Sequence, residues 1–173
     1  MFGCNAKTSV QQNGTPHLPF HLKKTTPKSN YFPDDKEDVS MPLEDAQKIS
    51  PYPLLKPSYS PFKIKYSYVT LSDDPTGNRD QHVIITYIGD NQNLYLQIDM
   101  QNKENIYSEA MKNNYVEMDL FQGVKGYVQI SNPSASLYWS DDGYTILISL
   151  PNKNNQYTKS DLIKIARSLH IIK

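Results

Sequence analysis

Leu94-Tyr95-Leu96-Gln97-Ile98-Asp99-Met100 alternates an aliphatic residue with a polar or aromatic one over its whole length. A strand turns successive side chains to opposite faces, so this period of two sends Leu94, Leu96, Ile98 and Met100 inward. Tyr95, Gln97 and Asp99 take the other face. Upstream, Gly89-Asp90-Asn91-Gln92-Asn93 is a turn by composition. Before it, Val83–Ile88 is an apolar run of the kind found in a central strand covered on both faces. Ile64–Leu71 alternates again, with Ile64, Tyr66 and Tyr68 on one face.

Downstream the pattern continues. Val116, Met118 and Leu120 alternate with Tyr115, Glu117 and Asp119, and Gln122-Gly123-Val124-Lys125-Gly126 turns the chain into Tyr127–Ile130. Asn132-Pro133-Ser134 makes another turn before Ala135, Leu137 and Trp139. Asp142-Gly143 is a hairpin signal, and Tyr144, Ile146, Ile148 and Leu150 form the last strand. Short connections between successive strands predict a curved antiparallel meander of about six strands.

Two helices flank this series. Ser40-Met41-Pro42-Leu43-Glu44-Asp45-Ala46-Gln47-Lys48-Ile49 reads as a short helix, capped by Ser40 and edged by Leu43, Ala46 and Ile49. Pro51, Pro53, Pro57 and Pro61 then force an extended path that offers Tyr52, Leu54, Leu55, Tyr59 and Phe62 to a core. At the C-terminal end, Thr158 and Asp161 stand at capping-box spacing. Leu162, Ile165, Ala166 and Leu169 follow at i, i+3, i+4 and i+7. The expected fold class is α+β: one curved antiparallel sheet with both helices packed on one face.

The 173 residues suffice for one domain with some left over, and hydrophobic residues make up only 38%. The apolar runs concentrate between Ile64 and Leu150, while residues 5–40 hold almost none. That contrast divides the chain into a polar tether, residues 1–39, and a single domain, residues 40–173. Charge is balanced, with eight basic against six acidic residues in 1–63 and ten against twelve in 64–173. With a pI of about 6.9 and no basic stripe, nucleic acid is not an expected partner. No apolar run approaches the roughly 18 residues that a spanning helix needs.

The single cysteine excludes an internal disulfide framework and a multi-cysteine metal site. Phe2-Gly3-Cys4 resembles the end of a bacterial lipobox, in which a small residue precedes the cysteine that receives the lipid. The polar run Asn5–Gly14 follows, then Pro16, Pro19, Pro27 and Pro33, and the charged run Asp34-Asp35-Lys36-Glu37-Asp38. Such a composition cannot bury enough surface to offset its chain entropy, and it suits a spacer. Cys4 is therefore expected to be a lipidation site anchoring the domain at the outer face of a cell membrane.

Two blocks carry a family resemblance. One is Leu43-Glu44-Asp45-Ala46 leading into Tyr52-Pro53-Leu54-Leu55-Lys56-Pro57-Ser58-Tyr59-Ser60-Pro61. The other is Leu137–Tyr144 leading into Thr158–Leu169. Together they resemble an extracytoplasmic domain of unknown function from Gram-positive bacteria, found in lipoproteins and in anti-sigma-like regulators. The resemblance spans about residues 40–170 and implies a binding or sensing module with no catalytic residues to carry over. Phe62-Lys63 departs from the family, where an acidic residue and a glycine are expected, and no sigma-binding region is present.

Residues with reactive chemistry are sparse. His17 and His21 have metal-like spacing, but Pro19 between them opposes the helix it requires. His82 opens a strand, and His170 sits where a helix C-terminus favours a cation. Asp73, Asp74, Asn78 and Asp80 fail the calcium-loop pattern because Pro75 and Gly77 occupy ligand positions. Glu117 and Asp119 share the outward face of one strand. No catalytic, metal or cofactor site is expected.

Thirteen tyrosines remain. Most suit ordinary sheet packing. Tyr95, Tyr115, Tyr127 and Tyr138, opposite the aliphatic residues, are exposed unless something covers them, and form the candidate binding surface for a protein or cell-envelope partner. The competing expectation is a lipid-like ligand held in a cavity between sheet and helices.

Overall fold

The structure is a computed structural model that describes residues 39–50, 52–73, 81–101, 114–121, 123–141 and 143–172. Cys4, His17, His21, the rest of the tether up to Asp38 and the loop bearing Asp74, Asn78 and Asp80 lie outside them.

The strands of the main sheet are β1 (Val39–Pro42), β3 (Tyr66–Asp73), β4 (Gln81–Ile88), β5 (Tyr95–Gln101), β6 (Val116–Phe121), β7 (Val124–Ile130), β8 (Ser134–Asp141) and β9 (Tyr144–Pro151). Short β2 (Leu55–Pro57) and β10 (Leu169–Ile171) pair with each other in a second sheet. Helix α1 spans Leu43–Ile49, α2 spans Lys159–Ser168, and a single 3₁₀ turn covers Lys153–Asn155.

The main sheet is antiparallel and open, in the order β1-β3-β4-β5-β9-β8-β7-β6. Its eight strands exceed the expected six, and the path is not one meander. Instead β3-β4-β5 and β6-β7-β8-β9 are two meanders, joined where β5 pairs with β9. Local hairpin signals cannot reveal that join, because it brings together strands more than forty residues apart in sequence. The helix expected from Ser40 also begins later, at Leu43. Ser40 lies in β1 opposite Thr70, their hydroxyls 2.9 Å apart.

The turn chemistry follows the sequence closely. Asp141 pairs with Tyr144 across a two-residue turn whose Gly143 has φ +83°, a region open chiefly to glycine. Phe121 pairs with Val124 around Gly123, at φ +78°. Strand β7 therefore starts three residues earlier than Tyr127, and Gly126 lies inside it. There a Cβ would stand only 3.1 Å from Leu120 Cβ and 3.2 Å from Leu137 Cδ1.

One face of the sheet carries the core. Val69, Val83, Ile85, Leu96, Ile98, Met100, Leu137, Trp139, Tyr144, Ile146 and Ile148 are buried there. Leu43 and Ala46 of α1 pack on this layer, with Tyr52, Leu54 and Leu55 of the proline-rich path and Leu162, Ile165 and Ala166 of α2. Each fully buried aliphatic side chain adds about 1.5–3 kcal/mol over leaving it in water. Tyr87 Oη donates to the Leu55 carbonyl at 2.7 Å and ties β2 to the sheet. The capping box forms: Asp161 Oδ2 accepts from the Thr158 N–H at 2.9 Å and the Thr158 hydroxyl at 2.8 Å. His170 is exposed in β10, two residues past the end of α2.

Candidate functional site

Both described helices lie on one side, so alternate residues of each main-sheet strand form a second face that carries no described helix. Register arranges them in rows across the sheet. One row runs Thr70, Ile84, Asp99, Leu147, Tyr138, Tyr127, Glu117. The next runs Tyr68, Thr86, Gln97, Ser149, Ser136, Gln129, and a third begins Tyr66, Ile88, Tyr95. Hydroxyls, amides and aromatic rings dominate where the opposite face has aliphatic side chains.

Three of the four tyrosines singled out from the sequence come together here. Tyr127 stacks on Tyr138 with centroids 5.0 Å apart and planes 17° from parallel. Tyr115 meets Tyr138 edge-on at 5.1 Å. These are favourable arrangements of ring quadrupoles. Flanked in this way, Tyr138 is only 6% exposed, and Tyr115 and Tyr127 are half-buried. The cover that the sequence left open at Tyr138 comes in part from its neighbours, Tyr115 and Tyr127. Burial first, then the neighbouring phenols of Tyr127 and Tyr115, pushes the Tyr138 hydroxyl above its usual pKa, so it stays protonated at neutral pH.

The outer two rings are tethered by their hydroxyls. Tyr115 Oη lies 2.8 Å from Ser136 Oγ, and Tyr127 Oη donates to Glu117 Oε2 at 3.3 Å. Lys125 Nζ reaches Asp119 Oδ1 at 2.6 Å and Glu117 Oε1 at 3.5 Å, so a lysine bridges the two outward acids. All three are more than half exposed. In water such a pair contributes little.

Tyr95 stands apart. It is half-buried at the start of β5, four residues along the strand from the Asp99 row. Two hollows meet at its ring. One, of about 340 Å³, is lined by Tyr66, Tyr68, Thr86, Ile88, Gln92, Tyr95 and Gln97. The other, of about 290 Å³, is lined by Asn93, Tyr95, Pro133, Ser134, Ser149, Leu150, Pro151 and Lys153.

A polar cluster that sequence reading passed over lies on the same face. His82 Nε2 and Asp99 Oδ1 form a close pair, and Gln101 Nε2 is 3.1 Å from the same ring nitrogen. The side chains of His82 and Asp99 are 18% and 16% exposed. The partners are 17 residues apart and meet only through the β4–β5 register, in which His82 faces Gln101 and Ile84 faces Asp99. Counting back from the Gly89–Asn93 turn would have found them. Such a pair orients an imidazole, and becomes catalytic only beside a nucleophile or a metal-bound water.

Among the described residues, no group of three or more His, Cys, Asp or Glu could hold a metal, and no helix is long and apolar enough to cross a membrane. Compared with protein-family models, curated proteins and solved structures, the chain matches none. The family resemblance rests on its two sequence blocks alone.

Proposed function

We propose that this chain is a non-enzymatic binding or sensing module, held at the outer face of a Gram-positive cell membrane by a lipid on Cys4, with the sheet face opposite the described helices as its binding surface. The observation that carries the reading is the composition of that face: packed tyrosines and hollows lined by hydroxyls and amides, on a sheet whose described helices lie on the other side. Aromatic rings with polar tips suit contact with a protein or an envelope polymer, since they bury much area and keep a hydrogen-bonding group. The resemblance to extracytoplasmic domains of lipoproteins and anti-sigma-like regulators points the same way.

The alternative, a lipid-like ligand between sheet and helices, is less favoured. That layer is occupied by Trp139, Tyr87, Tyr144, Met100 and Leu137, each at most 1% exposed. The two hollows beside Tyr95 open on the opposite face. Capture of envelope components by the native protein, compared with Tyr95→Ala/Tyr127→Ala, tests the surface. Loss of capture in a folded variant is expected, and undiminished capture refutes it. Mass spectrometry of the native protein tests the address: a lipid-modified Cys4 is expected, and an unmodified Cys4 refutes it.

A further inference from the structure

We infer that the two hollows beside Tyr95 are one cleft, and that the cleft binds a neutral glycan chain lying across the strands. The inference rests on the proposed binding role of this face and names its ligand class.

The geometry is that of a track. The larger hollow draws on β3, β4 and β5, and the smaller on β5, β9 and β8, with Tyr95 lining both. Those five strands are consecutive in the sheet. Four interstrand spacings make the line roughly 19 Å long. A linear ligand of several units fits that shape better than one compact molecule, and Tyr95 divides the track into two subsites.

The chemistry narrows the ligand. Tyr59, Tyr87, Tyr115 and Tyr127 each engage their hydroxyls with protein groups. The hydroxyls of Tyr66, Tyr68 and Tyr95 have no partner among the described residues, and all three line the larger hollow. Tyr66 is 51% exposed, a large ring at the rim of this hollow. Gln92 and Gln97 add amides to the same hollow, and Ser134 and Ser149 add hydroxyls to the smaller one. These groups both donate and accept, as sugar hydroxyls do, and tyrosine rings offer flat faces to the C–H faces of a sugar.

Charge is nearly absent from the described lining: Lys153 is its one ionic residue, and no described carboxylate lines either hollow. A polyanion would call for a cluster of cations. An amphipathic helix or an acyl chain would call for a continuous apolar groove.

Calorimetric titration of the full chain with cellohexaose, chitohexaose and maltohexaose tests the inference. Saturable binding of at least one is expected. Tyr95→Ala should weaken it tenfold or more and Tyr66→Ala several-fold, with Lys48→Ala, on the exposed side of α1, unchanged. Tyr66 is exposed enough that its variant keeps the test valid if Tyr95→Ala unfolds. No saturable binding with any of the three hexasaccharides overturns the inference, as does binding that both Tyr95→Ala and Tyr66→Ala leave intact. Binding of phosphatidylglycerol vesicles in their place, lost in Tyr95→Ala, also overturns it and gives the cleft to lipid. The broader binding role fails separately, only if capture of envelope components is insensitive to the tyrosine substitutions.

Discussion

Replacing Tyr138 with alanine measures whether the uncovered face is a packed structure or a collection of independent side chains. At 6% exposure, Tyr138 buries nearly its whole ring between Tyr115 and Tyr127. Truncation returns about 100–130 Å² of apolar contact to water, worth about 3 kcal/mol at 25 cal/mol per Å². Two aromatic contacts add about 1–3 kcal/mol beyond area. Against this, the site opens to solvent, so no dry void remains, and a compact unfolded chain already buries part of the ring. The net expectation is about 3 kcal/mol, with Tyr138→Phe losing less than about 1 kcal/mol because the ring contacts persist.

Urea unfolding followed by Trp139 fluorescence reads this out cleanly. Trp139 is the only tryptophan and is fully buried on the opposite face, so its emission reports global unfolding. With a urea slope of about 2 kcal/mol per molar, the midpoint should fall by about 1.5 M. A fall of less than about 0.5 M would refute the packing argument and leave the three rings as separate surface residues. A double-mutant cycle with Tyr115→Ala should return a coupling of about 1 kcal/mol.

Three further outcomes follow from the scaffold. The Thr158 backbone N–H, the Thr158 hydroxyl, nearby Lys164 and the Tyr59 hydroxyl hold the Asp161 carboxyl below its ordinary value against a smaller desolvation effect. A carboxyl with a lowered folded pKa stabilises above its unfolded pKa, and this is lost as pH falls through the folded value, so Asp161→Asn should cost about 1 kcal/mol at pH 7 and progressively less below about pH 4, by thermal melts across pH. Tyr87→Phe leaves the Leu55 carbonyl without its 2.7 Å donor and should cost about 1–2 kcal/mol in urea unfolding, with the 55–57 segment losing amide protection first. The Trp139 indole N–H is buried with no partner among the described residues, so Trp139→Phe relieves an unsatisfied donor while losing volume, and should cost less than about 2 kcal/mol by circular dichroism, well under a usual large aromatic truncation.

Period-two alternation was enough to assign inward and outward residues. Leu96, Ile98 and Met100 are buried and Gln97 and Asp99 face away, because a two-residue pleat leaves no other choice once one face is covered. Asp142-Gly143 and the Thr158/Asp161 box are local signals with local outcomes, and they hold to the residue. The β5–β9 join and the short β1 edge are non-local. Ser40 read as a helix cap because its chemistry suits one, and only the unseen strand beside it shows that it pairs with Thr70. The site divides in the same way. Outward tyrosines were legible one strand at a time, whereas their stacking, the His82–Asp99 pair and the hollows needed cross-strand register.

That join is also what makes the face a candidate surface. In either meander alone, Tyr95 would sit on an edge strand, with its far side in water. Pairing β5 with β9 sets Gln97 opposite Ser149, and with them the larger hollow of the first meander beside the smaller hollow of the second. The same pairing carries the Asp99 row through Leu147 to Tyr138, placing the His82–Asp99 pair and the tyrosine trio on one continuous plane. Helix packing demands aliphatic residues on only one side of that plane. Tyrosine, serine, threonine and glutamine accumulate on the other, half-buried at Tyr95 and Gln97 and buried at Thr86 and Ser136, over backbone paired on both sides. A rigid, two-sided strand carrying exchangeable polar groups can vary its ligand without disturbing its core, which is the division a binding module needs.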